Sequence, residues 1–258
     1  MAPCCDKETL MMTYRAISRS IISYCCPAWT PIIKETHWNR LQTVQNSALR
    51  IATGCHLMSN IDDLHREAQE LPVRNHAELL SRQFALSCHT TSHPCHSLAM
   101  RPRPPRARMK PNIFTKHREE YSDLLNCDQT MEEENRKSGT KILHTRAVRD
   151  TLNSYRCNKV LDQIPPAVSE SEKQLPRTTR THLAQLRTGY CKHLKSYMSR
   201  IEPEVSDECP RCLEPGHTTL HLFTCRENPT DLTVESLWLE PAEAAAFLGL
   251  PTEEDVER

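Results

Sequence analysis

The chain has 258 residues, of which 38% are hydrophobic, 5% aromatic and 26% charged, and its mean hydropathy is −0.62. This composition predicts a soluble protein with a modest core in one or two domains. No apolar run approaches the roughly 20 residues that cross a bilayer, and no secretory signal is expected. Only 5 glycines stand against 18 prolines, which argues against a glycine-rich phosphate loop and against a sheet with tight hairpins.

Thirteen cysteines are present, but the number is odd and most of the spacings are irregular. This pattern does not suggest a disulfide framework. It favours a reducing compartment, the cytosol or the nucleus, with most cysteines acting as small buried apolar groups.

The net charge of zero is unevenly distributed along the chain. Residues 1–110 carry 14 Lys/Arg against 8 Asp/Glu, and residues 111–200 carry 16 against 11. The last segment, 201–258, carries 3 against 14. Two basic segments before an acidic tail indicate contact with RNA or DNA in the basic part.

Apolar periodicity predicts a mainly α fold that begins with four amphipathic helices joined by short loops. The first runs over about 7–26, from an N-cap at Asp6 to a stop at Pro27, with Leu10, Tyr14, Ile17 and Ile21 on one face. The other three are expected over about 36–53, 59–70 and 73–88. In the second helix Trp38, Leu41, Val44 or Gln45, Ala48 and Ile51 form the apolar stripe, and Gly54 is its C-cap.

Two later stretches carry most of the positive charge. One is an extended proline-rich linker, which either contacts phosphates or is a solvated spacer. The other, residues 173–200, has no acidic residue. Its Leu183, Leu186, Tyr190, Leu194 and Tyr197 would face a core, and its cations favour nucleic-acid binding over an ordinary solvated helix face. The candidate contacts are Arg101, Arg103, Arg106, Arg108 and Lys110 in the linker, and Arg177, Arg180, Arg187, Lys192 and Lys195 in the second stretch.

A compact cysteine–histidine set follows the basic segment. Two residues separate Cys209 from Cys212, and three residues separate His221 from Cys225, which is the spacing of about one helical turn. Four such ligands match tetrahedral Zn²⁺ in a closed, structural site. His217 is an alternative ligand, but His221 is preferred because its apolar neighbours can dock a short helix. A looser group, made of Cys88, His89, His93, Cys95 and His96, matches no compact ligand spacing and is a weaker metal candidate.

Six separate blocks carry a family resemblance: residues 14–29, residues 38–50, residues 175–191, the cysteine–histidine set, Leu237-Trp238 and residues 244–250. They resemble the C-terminal region of reverse transcriptases from jockey-like non-LTR retrotransposons. The resemblance implies a thumb that packs on a primer–template duplex, followed by a zinc knuckle. It implies four regions: a thumb-like 1–97, a linker 98–140, a helical basic region 141–200, and a knuckle with a helical cap over 201–258.

The paired aspartates of the polymerase palm have no counterpart in this sequence. The only adjacent pair, Asp62-Asp63, is expected to open a helix, where the helix dipole favours carboxylates. No catalytic residue and no small-molecule substrate are therefore assigned, and the chain is interpreted as a fragment of a larger polyprotein. Three hypotheses follow: a nucleic-acid-binding fragment, a contributor to RNA-directed DNA polymerase activity together with the missing palm, and a zinc-stabilised protein-interaction domain or non-functional relic.

Overall fold

The computed structural model describes residues 5–101, 113–116, 121, 123–125 and 130–251. Over these residues the protein is mainly α, as predicted, and contains no strand; a single β-bridge pairs Thr90 with Met131. None of the described helices is long and apolar enough to cross a membrane. Four of the predicted linker contacts, Arg103, Arg106, Arg108 and Lys110, lie outside the described residues.

Helices account for most of the described chain, and they are numbered here in chain order. The N-terminal half contains α1 Lys7–Thr13, a π-helical turn Tyr14–Arg19, α2 Ser20–Ser23, α3 Cys26–Trp29, α4 Glu35–Thr53, α5 Ile61–Ala68, α6 Val73–Cys88, α7 His96–Ala99 and α8 Ile113–Lys116. The C-terminal half contains α9 Glu133–Ser154, a 3-10 helix Glu170–Gln174, α10 Arg177–Thr188, α11 Lys195–Ile201, α12 Thr219–Thr224, α13 Ser236–Leu239 and α14 Pro241–Phe247.

The chain forms two compact units, and each is assembled from separated stretches. Unit 1 comprises residues 1–15, 46–70 and 155–258, and unit 2 comprises residues 16–45 and 71–154. The sequence analysis, by contrast, predicted four regions that follow one another along the chain. Apolar periodicity identifies the buried face of a helix, but it does not show which distant stretch covers that face.

The first predicted helix is interrupted. Asp6 caps it as expected, accepting a hydrogen bond from the Thr9 N–H, and Tyr14 is buried. The π-helical turn has more residues per turn than an α-helix, so it changes the direction in which its own side chains and the later ones point. Ile17, which lies within this turn, is 57% exposed. Ile21 is also exposed. The prediction that both isoleucines face the core was wrong, and Pro27 lies in the first turn of α3 instead of ending the first helix.

Helices α4, α5 and α6 begin and end close to the predicted residues. The N-terminal part of the predicted α4 stripe is confirmed, since Trp38 and Gln45 are buried. Towards the C-terminal end the buried stripe is rotated by about one position, so that Leu49 is fully buried whereas Val44 and Ile51 are exposed. Asn60 caps α5 by accepting from the Asp62 N–H, so the aspartate pair opens a helix as expected.

Gly54 ends α4 as the predicted C-cap. Its φ of +77° lies in the left-handed region that favours glycine. Its N–H donates to the Arg50 carbonyl at 2.9 Å, and its own carbonyl accepts from Gln185 at 3.0 Å. A Cβ at this position would lie 2.5 Å from Thr181 Oγ1, so both the backbone conformation and the close approach of α10 require glycine.

Unit 1 holds the larger core. Leu183, Leu186 and Leu194 pack with Leu237 and Trp238 there, and Leu49 and Leu64 pack with Ala184. This arrangement places α10 between the C-terminal helices and the α4–α5 segment. In unit 2, α6 supplies Ala77 to one apolar cluster and Leu86 to another.

Candidate metal centre

Four side chains of unit 1 converge as the sequence predicted. The ligand atoms of Cys209, Cys212, His221 and Cys225 all lie within 4.8 Å of one another. Cys212 Sγ is 3.3 Å from His221 Nε2, and Cys209 Sγ is 3.9 Å from Cys225 Sγ. A tetrahedral ion with bonds of about 2.0–2.3 Å has ligand–ligand edges of roughly 3.3–3.8 Å. The group is therefore the size of a tetrahedral site and can hold a metal ion.

Local backbone geometry positions these ligands. Leu213 adopts a left-handed conformation with φ 61°, and its N–H donates to the Cys209 carbonyl at 3.0 Å. The Cys209 N–H in turn donates to the Glu214 carbonyl at 2.8 Å, closing the knuckle turn. Thr218 caps α12, so His221 projects from the first turn of this short helix and Cys225 follows its last residue.

The electrostatics of the turn favour a thiolate at Cys209. Burial raises the pKa of this thiol, but backbone N–H groups of Cys212 and Arg211, followed by the His221 side chain, lower it to about 6. Burial and the neighbouring sulfurs of Cys209 and Cys225 raise the pKa of Cys212 to about 11, against a backbone hydrogen bond from Glu214. One thiol thus ionises easily, and the other retains its proton until a cation takes its place.

His217 is not part of the ligand group. Its Nδ1 accepts a hydrogen bond from the Lys195 N–H at 3.1 Å, and its carbonyl accepts from the Ser196 N–H at 3.3 Å. The imidazole is buried and is directed to the start of α11. Of the two candidate histidines, His221, the preferred one, has its ring nitrogen grouped with the three sulfurs, and His217 lies outside this group.

A group of aromatic rings packs around Tyr197 of α11. The Tyr197 hydroxyl is 2.8 Å from His56 Nε2. The half-buried rings of His56 and Tyr190 stack with their centroids 6.2 Å apart, and both contact Tyr197 edge-on. The His217 hydrogen bonds therefore connect the metal centre to α11, and α11 supplies the tyrosine that holds His56.

Three cations, Lys159, Lys192 and Arg50, act on the rings of Tyr190 and His56. Lys159 Nζ lies 5.1 Å from the centroid of the Tyr190 ring, which is cation–π distance. Burial, then the positive charges of Lys192 and Arg50, lower the pKa of His56. Lys159 and Lys192 are exposed, and neither forms an ion pair within the described part of the chain. We call His56, Lys159, Tyr190 and Lys192 the ring surface.

Two predicted nucleic-acid contacts are structural instead. Arg187 is 1% exposed; it pairs with Glu67 and Glu172 and donates to the Leu237 carbonyl at 2.9 Å. Arg180 is buried and donates to Glu8 at 2.8 Å. Their guanidinium groups are withdrawn from any phosphate, so the expectation of a surface role for both residues is corrected. Glu172 precedes the acid-free segment by one residue, and the other acidic partners come from distant stretches.

The remaining predicted cations are on or near the surface. Arg177 donates to the carbonyls of Ile51 and Ala52, at 2.6 and 3.1 Å, and thereby satisfies the C-terminal end of α4. Lys192 and Arg101 are exposed, and Lys195 is half-buried. Of these, Lys192 is the cation whose charge acts on the His56 ring.

The metal centre itself has an acidic border. Six acidic residues are exposed there: Glu202, Glu204, Asp207, Glu208, Glu214 and Glu227. They outnumber two exposed cations, Arg211 and Arg226, and Arg226 pairs with Glu214 and Glu227. A phosphate backbone would be repelled there. The cysteine–histidine set is therefore suited to fixing local structure, whereas the exposed Lys159 and Lys192 give the ring surface a positive charge.

Of the ring surface, only Lys192 was among the contacts predicted from the sequence. Tyr190 was expected to face the core; it packs against the core of unit 1 as expected, but it is only half-buried, and Lys159 lies over its ring. His56 and Lys159 lie more than 100 positions apart in the chain. The only local signal was the absence of acidic residues around Tyr190.

Comparison of the chain with protein-family models, with curated proteins and with solved structures yields no match.

Proposed function

We propose that this chain is a nucleic-acid-binding, zinc-stabilised C-terminal part of a non-LTR retrotransposon reverse transcriptase. The ring surface carries the proposal. It combines half-buried rings, on which a base can stack, with exposed ammonium groups that attract phosphates. The family is proposed from the sequence blocks alone.

Zn²⁺ is the ion that best suits the Cys209–Cys212–His221–Cys225 set. Three thiolates and one imidazole are ligands that zinc prefers, and four protein ligands leave no position for a catalytic water. The metal would hold α12 against the knuckle turn. Through His217 it would also fix the start of α11, and hence the position of Tyr197 beneath His56.

Single-stranded RNA or DNA is the ligand class expected at the ring surface. The bases of a duplex are stacked on one another and present their faces to no side chain, whereas a single strand can place a base on Tyr190. The recognition would be largely independent of sequence, because every base has an aromatic face.

Fluorescence anisotropy of the zinc-loaded chain tests the proposal. Labelled RNA and DNA strands of the same sequence, about 15 nucleotides long, would be titrated at salt concentrations from about 50 to 200 mM. We expect binding that weakens linearly with salt on a log–log plot, and tighter binding to single strands than to the matched duplex. Absence of any binding at the lowest salt would overturn the proposal.

A further inference from the structure

A second cysteine–histidine group lies in unit 2, where α6 ends. Cys88 is the last residue of α6, and Cys95 directly precedes α7. The ligand atoms of Cys88, His93 and Cys95 lie within 4.8 Å of one another. The sequence spacing of four residues and one residue matches no familiar knuckle, but the fold brings the three ligands together.

The loop between the two helices is held by its own backbone. The His93 N–H donates to the Thr90 carbonyl at 3.0 Å, and the His96 N–H donates to the His93 carbonyl at 2.9 Å. The Met131 N–H donates to the His89 carbonyl at 3.0 Å, which ties the loop to the segment before α9. The ligands are therefore placed by ordered backbone, as a preformed metal site requires.

We propose that Cys88, His93 and Cys95 bind a second zinc ion. Two sulfurs and one imidazole form a soft-to-borderline donor set that favours zinc over magnesium or calcium. Cys88 is fully buried, while Cys95 and His93 are half-buried, so an ion can enter from the side of the loop.

His96 is the proposed fourth ligand. It follows Cys95 in the chain, and its buried Nδ1 makes no hydrogen bond to any residue that the structure describes. A buried ring nitrogen without a partner is costly, and a metal ion would remove that cost. A rotation of this side chain at the start of α7 would complete a Cys₂His₂ set.

One existing hydrogen bond would be exchanged on binding. His93 Nδ1 accepts from the Cys95 N–H at 3.1 Å. A neutral imidazole has one ring nitrogen free of a proton, so binding of zinc through either nitrogen breaks this contact. A single neutral hydrogen bond contributes much less to stability than zinc does when it binds to thiolates.

Metal stoichiometry of the full chain tests the second site. Protein purified under reducing conditions, loaded with zinc and freed of excess metal would be analysed by elemental mass spectrometry. We expect two zinc ions per chain in the wild type and one in Cys95→Ser. Cys212→Ser should also retain one, since it removes the other site. The matched control is Cys157→Ser, because Cys157 is exposed and outside both groups; it should retain two.

The fold of each variant would be checked by circular dichroism, and His93→Gln provides a second test at a half-buried position. Replacement of zinc by cobalt would report thiolate ligation through its charge-transfer absorption. In His96→Ala the second site should bind zinc at least tenfold more weakly, and an unchanged affinity would remove His96 from the ligand set. One zinc ion per chain in folded wild type, with Cys95→Ser unchanged, would overturn the proposal.

Discussion

Arg187 Nη1 lies 3.1 Å from Glu67 Oε1, and both side chains are almost completely buried. Glu67 also accepts from Lys7 at 3.0 Å, and Arg187 contacts Glu172. Burial alone would raise the pKa of Glu67, but the charges of Lys7 and Arg187 lower it to about 2. The network joins α1, α5 and α10, three elements of unit 1 that lie far apart in the sequence.

Removal of the buried guanidinium should destabilise unit 1 strongly. Arg187→Met leaves Glu67 with Lys7 alone and Glu172 with only the Arg180 Nε, 4.0 Å away, and breaking a buried pair costs about 3–5 kcal/mol. Urea denaturation would measure the loss. Arg200→Met is the control, because Arg200 is exposed and a change there should stay within about 0.5 kcal/mol. Equal stabilities of the two variants would show that the network does not stabilise the fold.

Gly54→Ala should destabilise the junction of α4 with α10. The left-handed backbone and the approach of Thr181 together predict a loss of about 1–3 kcal/mol. Gly249→Ala is the matched control, since Gly249 has a φ of +66° but a Cβ added there would meet no atom within 4 Å. Thermal unfolding should show the larger decrease for Gly54→Ala, and similar decreases would mean that the contact with Thr181 contributes nothing.

His76 should make unit 2 sensitive to mild acid. Burial, then the charges of Arg19 and His144, lower its pKa from 6.5 to about 4. Below pH 6.5 the unfolded chain takes up a proton that the folded chain resists, so stability falls as the pH decreases towards 4 and levels off below it. The loss is at most about 3 kcal/mol.

Urea denaturation across this pH range would measure the effect. His76→Gln should flatten the decline between about pH 6.5 and pH 4. His37→Gln, at an exposed position, should leave it unchanged. A decline in His76→Gln as steep as that of the wild type would assign the acid sensitivity to other groups.

Substitutions on the ring surface should weaken nucleic-acid binding without unfolding the protein. Tyr190→Leu removes the stacking face, and loss of one base–aromatic stack costs about 1–3 kcal/mol. Lys159→Gln should reduce the salt slope by about one phosphate contact. Tyr24→Leu and Lys173→Gln are matched controls, since Tyr24 is an exposed tyrosine of unit 2 and Lys173 is an exposed lysine paired with Glu170. If Tyr24→Leu and Lys173→Gln weakened nucleic-acid binding as much as Tyr190→Leu and Lys159→Gln, binding would not be localised to the ring surface.

Much of the local structure was predictable from the sequence. The bounds of α6, the caps at Asp6 and Gly54, and the convergence of the four ligands near the C-terminus depend on neighbouring residues, and local patterns reveal them. Ile17 and Ile21 were misplaced because a π-helical turn changes the helical phase without a clear sequence signature. The prediction of a surface role for Arg180 and Arg187 was wrong because two of their acidic partners, Glu8 and Glu67, are more than 100 residues away in the sequence.

The same limit explains the discontinuous units and the second metal group. Cys88, His93 and Cys95 have an unfamiliar spacing, and only the fold of the loop brings their ligand atoms together. The ring surface depends on a histidine from the α4–α5 loop meeting tyrosines from the C-terminal half. Long-range pairing of this kind leaves no periodic pattern in a single sequence.

The most direct test of the account compares the RNA affinity of the zinc-loaded chain with that of the zinc-free chain at about 50 mM salt. Zinc would be removed with a chelator and restored by adding the metal back, and anisotropy would report binding of one labelled single strand. We predict at least tenfold weaker binding without zinc and full recovery on its return, because under the proposed function the bound metal orders the start of α11 through the hydrogen bonds of His217. Equal affinity with and without zinc, or no binding in either state, would contradict the account.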